Sequence, residues 1–172
     1  MGFERISKIT LIAAFVGLAV GFGYALAFLP NIELITFTIF TSGIILGPIY
    51  AALVGILSFS IYSAFNPYGM APLPLFIVQI FSGGIIGLFG GIFSKGLKKI
   101  KKHHLRALLA STIGIVVTVI YDILTNIAAY ISIGNPELSL WVFIVAGLSF
   151  SLLHIISNGL VFFFLSFVWR YV

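Results

Sequence analysis

Charged side chains are confined to a few short segments of this chain, and the stretches between them are almost entirely apolar. Only 8% of the 172 residues are charged and 61% are hydrophobic, whereas an ordinary globular domain carries roughly 25% charged residues. A helix needs about 20 apolar residues to cross a bilayer, so this length leaves room for about six spans with short connections. The sequence therefore predicts an integral membrane protein.

Proline, glycine and charged residues divide the chain into six apolar segments. Backbone polar groups find no water partners in lipid, so apolar segments of this length are predicted to be helices. The predicted spans cover residues 9–29, 32–46, 49–65, 75–93, 105–131 and 140–169. We predict an all-α integral membrane fold, a six-transmembrane-helix bundle that forms a single domain over residues 1–172.

The basic residues predict the orientation of the bundle in the membrane. They are Arg5, Lys8, Lys95, Lys98, Lys99, Lys101, Lys102, Arg106 and Arg170. With six spans and a cytoplasmic N-terminus, all of them fall on the cytoplasmic side, where Lys and Arg are enriched. We therefore expect a multi-pass protein of the plasma membrane with both termini cytoplasmic.

The densest basic segment, Lys95–Arg106, is predicted to be a cytoplasmic loop between the fourth and fifth helices. It can be interpreted as a topology determinant that touches anionic lipid headgroups, or as a docking surface for a cytoplasmic partner. Its placement beside membrane spans argues against a nucleic-acid-binding function.

The first predicted helix has a competing interpretation as a cleavable signal peptide. A basic segment precedes its apolar run, and Ala25-Leu26-Ala27 resembles a signal-peptidase site. The apolar run is longer than that of most signal peptides, and its small residues recur at helix-interface spacing. We therefore expect the helix to be retained.

Ionisable side chains inside the predicted spans indicate a functional site, because each costs at least ~2.5 kcal/mol at mid-depth unless it has a partner. These residues lie between mid-membrane and the predicted outer face, and they come from separate helices. We predict a substrate-binding pocket, open to the outside, formed by Glu33, Tyr62, Asn66, Tyr68, Gln79, Asp122, Asn126, His154 and Asn158. The alternative is that these groups only join neighbouring helices, at about 0.6 kcal/mol per hydrogen bond.

The same residues argue against catalysis and metal binding. Asp122 and His154 could pair as a base and its orienting group, but no Ser or Cys nucleophile lies in a recognisable motif. The chain has no cysteine, and no helix carries two histidines at ligand spacing. We expect no catalytic residue, no metal and no cofactor, and the aromatic residues among the polar ones suit a flat organic ligand.

Small residues recur at every fourth position on two predicted helices, which permits close approach of another helix. The first helix carries Ala13, Gly17, Gly21 and Ala25, and the fourth carries Gly83, Gly87 and Gly91. Either strip could pack inside the bundle or against a partner subunit, and the spacing alone does not assign them.

Residues Ile32–Ile61 resemble the second and third helices of the substrate-binding S components of energy-coupling factor (ECF) vitamin transporters. The shared features are a short second helix, the break at Leu46-Gly47-Pro48, and the small residues of the third helix. The size, the six spans, the cytoplasmic termini and the basic connection between the fourth and fifth helices also match.

The resemblance implies a binding subunit that captures a vitamin or related micronutrient from outside and is not an enzyme. Its implied partners are the bilayer, a coupling transmembrane subunit and two ATPase subunits, since the sequence holds no Walker-type motif of its own. The family's Ala-x-x-x-Ala motif, which meets the coupling subunit, corresponds to Ala13 and Gly17, so Ala13, Gly17 and Gly21 form the expected partner interface. The short first outer loop, Pro30-Asn31, implies that residues 66–74 cap the ligand.

Two further functions fit the same residues. A stand-alone proton-coupled carrier would use Asp122 and His154 as a relay, and an integral membrane enzyme would act on a lipid or prenyl substrate. The ligand itself stays open among thiamine-like, flavin-like, nucleobase-like and corrinoid molecules.

Overall fold

The computed structural model describes residues 2–135 and 137–171, and the side chains at 2–6, 170 and 171 lie outside what it describes. The side chains of Arg5 and Arg170, two of the basic residues that predict the topology, are therefore outside the described part. So are Met1, Pro136 and Val172 of the predicted domain.

The described residues form six α-helices and a terminal 3-10 helix, without a strand. The helices are α1 (Gly2–Ala25), α2 (Ile35–Leu46), α3 (Pro48–Ala64), α4 (Leu73–Lys99), α5 (His103–Ile133) and α6 (Leu140–Leu165), followed by the 3-10 helix Ser166–Tyr171. Four of them, α1, α4, α5 and α6, are long and apolar enough to cross a membrane, and α2 and α3 are shorter apolar helices. The prediction of an all-α membrane protein is confirmed, while the number of spans stays a prediction.

Two of the boundaries that differ from the prediction affect the cavity and the basic loop. α1 ends at Ala25 rather than at residue 29, because the chain enters a series of turns in which the N–H of Leu29 donates to the carbonyl of Leu26. At the other end of the bundle, α4 continues to Lys99, so the predicted basic loop is largely helical. Lysine is a good helix former and is favoured in a last turn, where the helix dipole is negative.

The junction between α2 and α3 is a single glycine. Gly47 has φ 85° and ψ 171°, a conformation that is accessible to glycine and not to residues with a side chain. Pro48 follows as the first residue of α3, where its missing N–H is not needed. The two short helices can therefore turn sharply and both pack against α4.

α4 lies at the centre of the bundle, in contact with α2, α3 and α5. Its glycine strip makes this possible, because a Cβ on Gly83 would clash with the backbone of Gly55, and one on Gly87 with the backbone of Ala51. Gly91 is equally close to Pro48. The strip on α4 is thus an internal packing surface between α4 and its neighbours.

The strip on α1 has the opposite environment. Ala13, Gly17, Gly21 and Ala25 are all exposed, and a Cβ on Gly17 or Gly21 would meet no atom within 4 Å. α1 packs on α2 and α3 through Ile12, Val16 and Ala19, which lie on its other face. The small residues of α1 therefore form an unoccupied groove on the outside of the bundle.

The two glycine environments predict opposite responses to the same substitution. Gly55→Ala places a methyl group against the backbone of Gly83 and is expected to destabilise the protein by about 1–3 kcal/mol. Gly17→Ala, the matched control, adds a methyl group in open space and should be neutral or slightly stabilising, because alanine favours helix. Thermal unfolding of both variants in detergent tests this, and equal melting temperatures would contradict the close approach of α3 and α4.

Candidate functional site

A cavity of about 820 Å³ lies at one end of the bundle. Its wall is formed by the α1–α2 connection, residues 26–34, together with side chains of α2, α3, α4, α5 and α6. This is the end opposite the basic connection between α4 and α5, because Lys99 and His103 terminate those helices at the far side. The volume falls within the ~300–1,000 Å³ typical of small-molecule sites.

The structure brings together the residues that the sequence predicted for a pocket. Eight of the nine line this cavity: Glu33, Tyr62, Asn66, Tyr68, Gln79, Asp122, Asn126 and His154. Asn158 does not line it, but is fully buried behind the wall and donates from Nδ2 to Glu33 Oε1 at 2.9 Å. That these residues bind a ligand stays a prediction.

His154 lies between two carboxylates in the cavity wall. Its Nδ1 is 2.6 Å from Asp122 Oδ1, and its Nε2 is 3.6 Å from Glu33 Oε1. An ionised carboxylate only accepts hydrogen bonds, so the imidazolium form, with an N–H on both nitrogens, matches both neighbours. We call Glu33, His154 and Asp122 the carboxylate–histidine cluster; with both carboxylates ionised and the histidine cationic, it retains a net negative charge.

Local structure fixes each member of this cluster. Glu33 comes just before α2, and its Oε2 accepts a 2.8 Å hydrogen bond from the N–H of Thr36 in the first turn, one of the N–H groups that a helix leaves free. Asp122 and His154 face each other because α5 and α6 pack closely, with Ser111 donating to the carbonyl of Gly159 at 2.9 Å.

Two buried oxygen atoms beside the cavity accept no hydrogen bond from the described residues. They are Asp122 Oδ2 and Asn158 Oδ1. A buried polar atom without a partner costs about 1–3 kcal/mol, so such atoms are uncommon. Asp122 lines the cavity, whereas Asn158 lies behind its wall.

A second polar chain crosses the cavity wall from α3 to α5. Ser63 donates to Gln79 Oε1 at 2.7 Å, and Gln79 Nε2 donates to the hydroxyl of Tyr121 at 3.3 Å. The Tyr121 ring stacks on Phe59 at 5.6 Å and meets the edge of His154 at 5.8 Å. Tyr121 therefore joins an aromatic wall to the carboxylate–histidine cluster.

Several lining residues were missed by the sequence prediction. The main ones are Asn31, Thr36, Phe59, Tyr121, Thr125, Phe150 and Ser151. Ser151 lies one turn before His154 on the same helix face, and that spacing is its signal in the sequence. Tyr121 is one of the aromatic residues that alternate with polar ones in the spans. Phe59 gave no signal, since an aromatic residue in an apolar span is equally compatible with a lipid-facing or a core position.

The α1–α2 connection has a larger role than its predicted two residues allowed. Because α1 ends early, residues 26–34 extend over the cavity and reach α6. Asn31 donates to the carbonyl of Phe150 at 3.0 Å, and Ser157 donates to the carbonyl of Asn31 at 2.7 Å. From the segment 66–74, only Asn66 and Tyr68 line the cavity.

An all-helical membrane protein with a polar, aromatic-walled cavity at one end has the features of a membrane subunit that binds a small molecule. The sequence model of the ECF-type riboflavin transporter S component family matches residues 3–170. The chain belongs to this family, and it is the substrate-binding subunit of an ECF transporter for a vitamin. No curated protein and no solved structure matches the chain.

Membership of this family confirms the S-component function that the resemblance implied. The family consists of transporter subunits and is not a family of enzymes. Its members work with a micronutrient substrate and with the other components of an ECF transporter, so the chain is one part of a larger membrane assembly.

Proposed function

We propose that this S component captures riboflavin from outside the cell and holds it in the cavity beside the carboxylate–histidine cluster. The observation that carries the proposal is a polar, aromatic-walled cavity in a chain whose family is described by riboflavin transport. Riboflavin combines a flat aromatic ring system with a flexible chain of hydroxyl groups. The two parts need an aromatic surface and hydrogen-bond acceptors, respectively.

The cavity offers both. Phe59 and Tyr121 form one stacked pair in the wall, and the ring of Tyr62, one turn beyond Phe59 on α3, also lines the cavity. Aromatic side chains contribute large contact areas and favour stacked or edge-to-face geometry with a ring. Glu33 and Asp122 supply carboxylate oxygens that accept hydrogen bonds from hydroxyl or ring N–H groups.

We further propose that Tyr62, Asn66, Tyr68, Gln79, Asn126 and Asn158 complete the binding site with these residues. In this proposal the chain changes no bond of its ligand, contains no catalytic residue and uses no metal or cofactor. Support comes from the family, which is one of transporter subunits.

Removing the Asp122 carboxylate is expected to abolish riboflavin capture. Truncation removes a carboxylate of the cavity wall and leaves His154 without its 2.6 Å partner. Loss of a buried charged group that contacts a ligand weakens binding by at least ~30-fold. The measurement is riboflavin released by denaturation of protein purified from rich medium, identified by mass spectrometry, with titration by flavin fluorescence. Wild-type protein should release unaltered riboflavin in near-stoichiometric amount, and Asp122→Ala should release none.

Glu137→Ala is the matched control, because Glu137 is an exposed acid that does not line the cavity. It should bind as the wild type does. Unchanged affinity in Asp122→Ala would remove that residue from the site. Stoichiometric release of a different vitamin would contradict riboflavin as the ligand while leaving the S-component function in place.

We propose that all six helices cross the plasma membrane as a single domain, with both termini cytoplasmic and the cavity open to the outside. Support comes from the separation of charge along the bundle. Five lysines lie at or beside the α4–α5 connection, whereas the cavity occupies the other end of the bundle. They are Lys95, Lys98, Lys99, Lys101 and Lys102. Short cytoplasmic connections carry the excess of basic residues.

This orientation predicts the labelling of single cysteines introduced into a chain that naturally has none. Asn135→Cys lies in the connection between α5 and α6 and should react with an impermeant maleimide on intact cells. Lys101→Cys, in the basic connection, should react only after permeabilisation. Both positions are exposed, so both cysteines are accessible to the reagent. The reverse labelling pattern would show that the protein has the opposite orientation in the membrane.

We propose that the outer groove of α1, formed by Ala13, Gly17 and Gly21, docks the coupling transmembrane subunit, which in turn works with two ATPase subunits. Support comes from the exposure of these residues and from the space above Gly17 and Gly21. Helices associate in lipid mainly through close van der Waals packing, which small residues permit.

Filling this groove is expected to separate transport from binding. Ala13→Leu together with Gly17→Leu should abolish co-purification with the coupling subunit and reduce uptake to background, while riboflavin affinity stays within about twofold because neither residue lines the cavity. Ala146→Leu is the matched control, an equally exposed alanine on α6 away from the groove. Normal uptake by the double variant would exclude the groove as the interface.

A further inference from the structure

The described cavity wall contains carboxylates and no lysine or arginine. Glu33 and Asp122 line it, and His154 is the one basic side chain among the described lining residues. Arg106, the first basic residue on α5 before the site, lies about 22 Å along that helix from Tyr121 at 1.5 Å per residue. Lys95, the first basic residue on α4 after the site, lies about 24 Å along that helix from Gln79 by the same rise.

The positive groups near the cavity are already engaged. His154 lies between both carboxylates, so it offsets at most one of their two charges. The start of α2, where N–H groups would attract an anion, donates from Thr36 to Glu33 Oε2. With both carboxylates ionised, the site is therefore negative overall with either a cationic or a neutral histidine.

The hydrogen bonds of the cluster also disfavour an anionic ligand. Asp122 is 7% exposed, and its Oδ2 accepts no hydrogen bond from the described residues. An unpartnered carboxylate oxygen is stabilised by a donor and destabilised by another anion. Oδ2 is itself buried, so it opposes a nearby anion without contacting the ligand.

We propose that the cavity selects its ligand by charge: it accepts the vitamin in its uncharged form and rejects the phosphate monoester of the same vitamin. The inference rests on the proposed function, in which this cavity is the ligand site, and extends it to the chemical class that is excluded. Glu33 and Asp122 are the residues that determine this specificity. Carboxylated or phosphorylated ligands would bring a further negative charge into a partly dehydrated, negative site.

The size of the discrimination follows from Coulomb interactions inside the cavity. At an effective dielectric constant of ~20, a phosphate within several ångströms of one uncompensated carboxylate is disfavoured by about tenfold or more in affinity. Because the groups are largely buried, added salt should reduce the ratio only weakly.

The test titrates purified protein with riboflavin, riboflavin 5′-phosphate and the uncharged riboflavin 5′-acetate. The expected result is an affinity for the phosphate at least ~10-fold below that for riboflavin, and an acetate affinity close to that of riboflavin. In Glu33→Gln and in Asp122→Asn the phosphate-to-vitamin ratio should fall by about threefold or more, even where both affinities drop. Glu137→Gln should leave the ratio unchanged.

Three results would overturn the inference: a phosphate that binds as well as the vitamin, equal rejection of the acetate, or a ratio that neither carboxylate variant alters. Where a variant does not fold, the inference is tested by the affinities of the wild-type protein for riboflavin 5′-phosphate and riboflavin 5′-acetate. Thiamine with its phosphate and pyridoxal with its phosphate are measured in parallel. If the protein binds thiamine or pyridoxal but not riboflavin, riboflavin is refuted as the ligand. The vitamin that binds and its phosphate would then test the selection by charge.

Discussion

Two carboxylates and one imidazole hold the start of α2 against α5 and α6, and the site depends on this cluster. Charged groups in an apolar environment are stable only when paired, so removing one member leaves the others uncompensated. Glu33 belongs to the α1–α2 connection, Asp122 to α5 and His154 to α6. The same contacts therefore join segments that are far apart in sequence and give the cavity its polar wall.

The position of the cavity follows from where close helix packing stops. α4 approaches α2 and α3 through Gly83, Gly87 and Gly91, whose neighbours are backbone atoms. Toward its N-terminus the next residues that face the same region are Gln79 and Leu75, and both line the cavity. Small residues bring the helices together over the part of the bundle nearer the basic end. Larger side chains separate the helices at the other end, where the cavity begins.

The sequence predicted eight residues that line the cavity because ionisable and polar residues in apolar spans are costly and therefore conspicuous. It could not predict the α1–α2 connection, since the helix ends at Ala25 without a proline or glycine, four residues before the expected stop. It also could not separate the two small-residue strips. Gly17 and Gly83 share the same spacing pattern, and only the neighbouring helices show that one is open and the other is filled.

The open groove on α1 has a consequence for the protein before it assembles. A bilayer leaves no empty volume, so acyl chains must fill the space above Gly17 and Gly21 while no helix is docked there. In the proposed assembly, docking on this groove displaces ordered lipid, and the released chains regain conformational freedom. The strength of that assembly would then depend on the length and saturation of the surrounding acyl chains as well as on the two proteins.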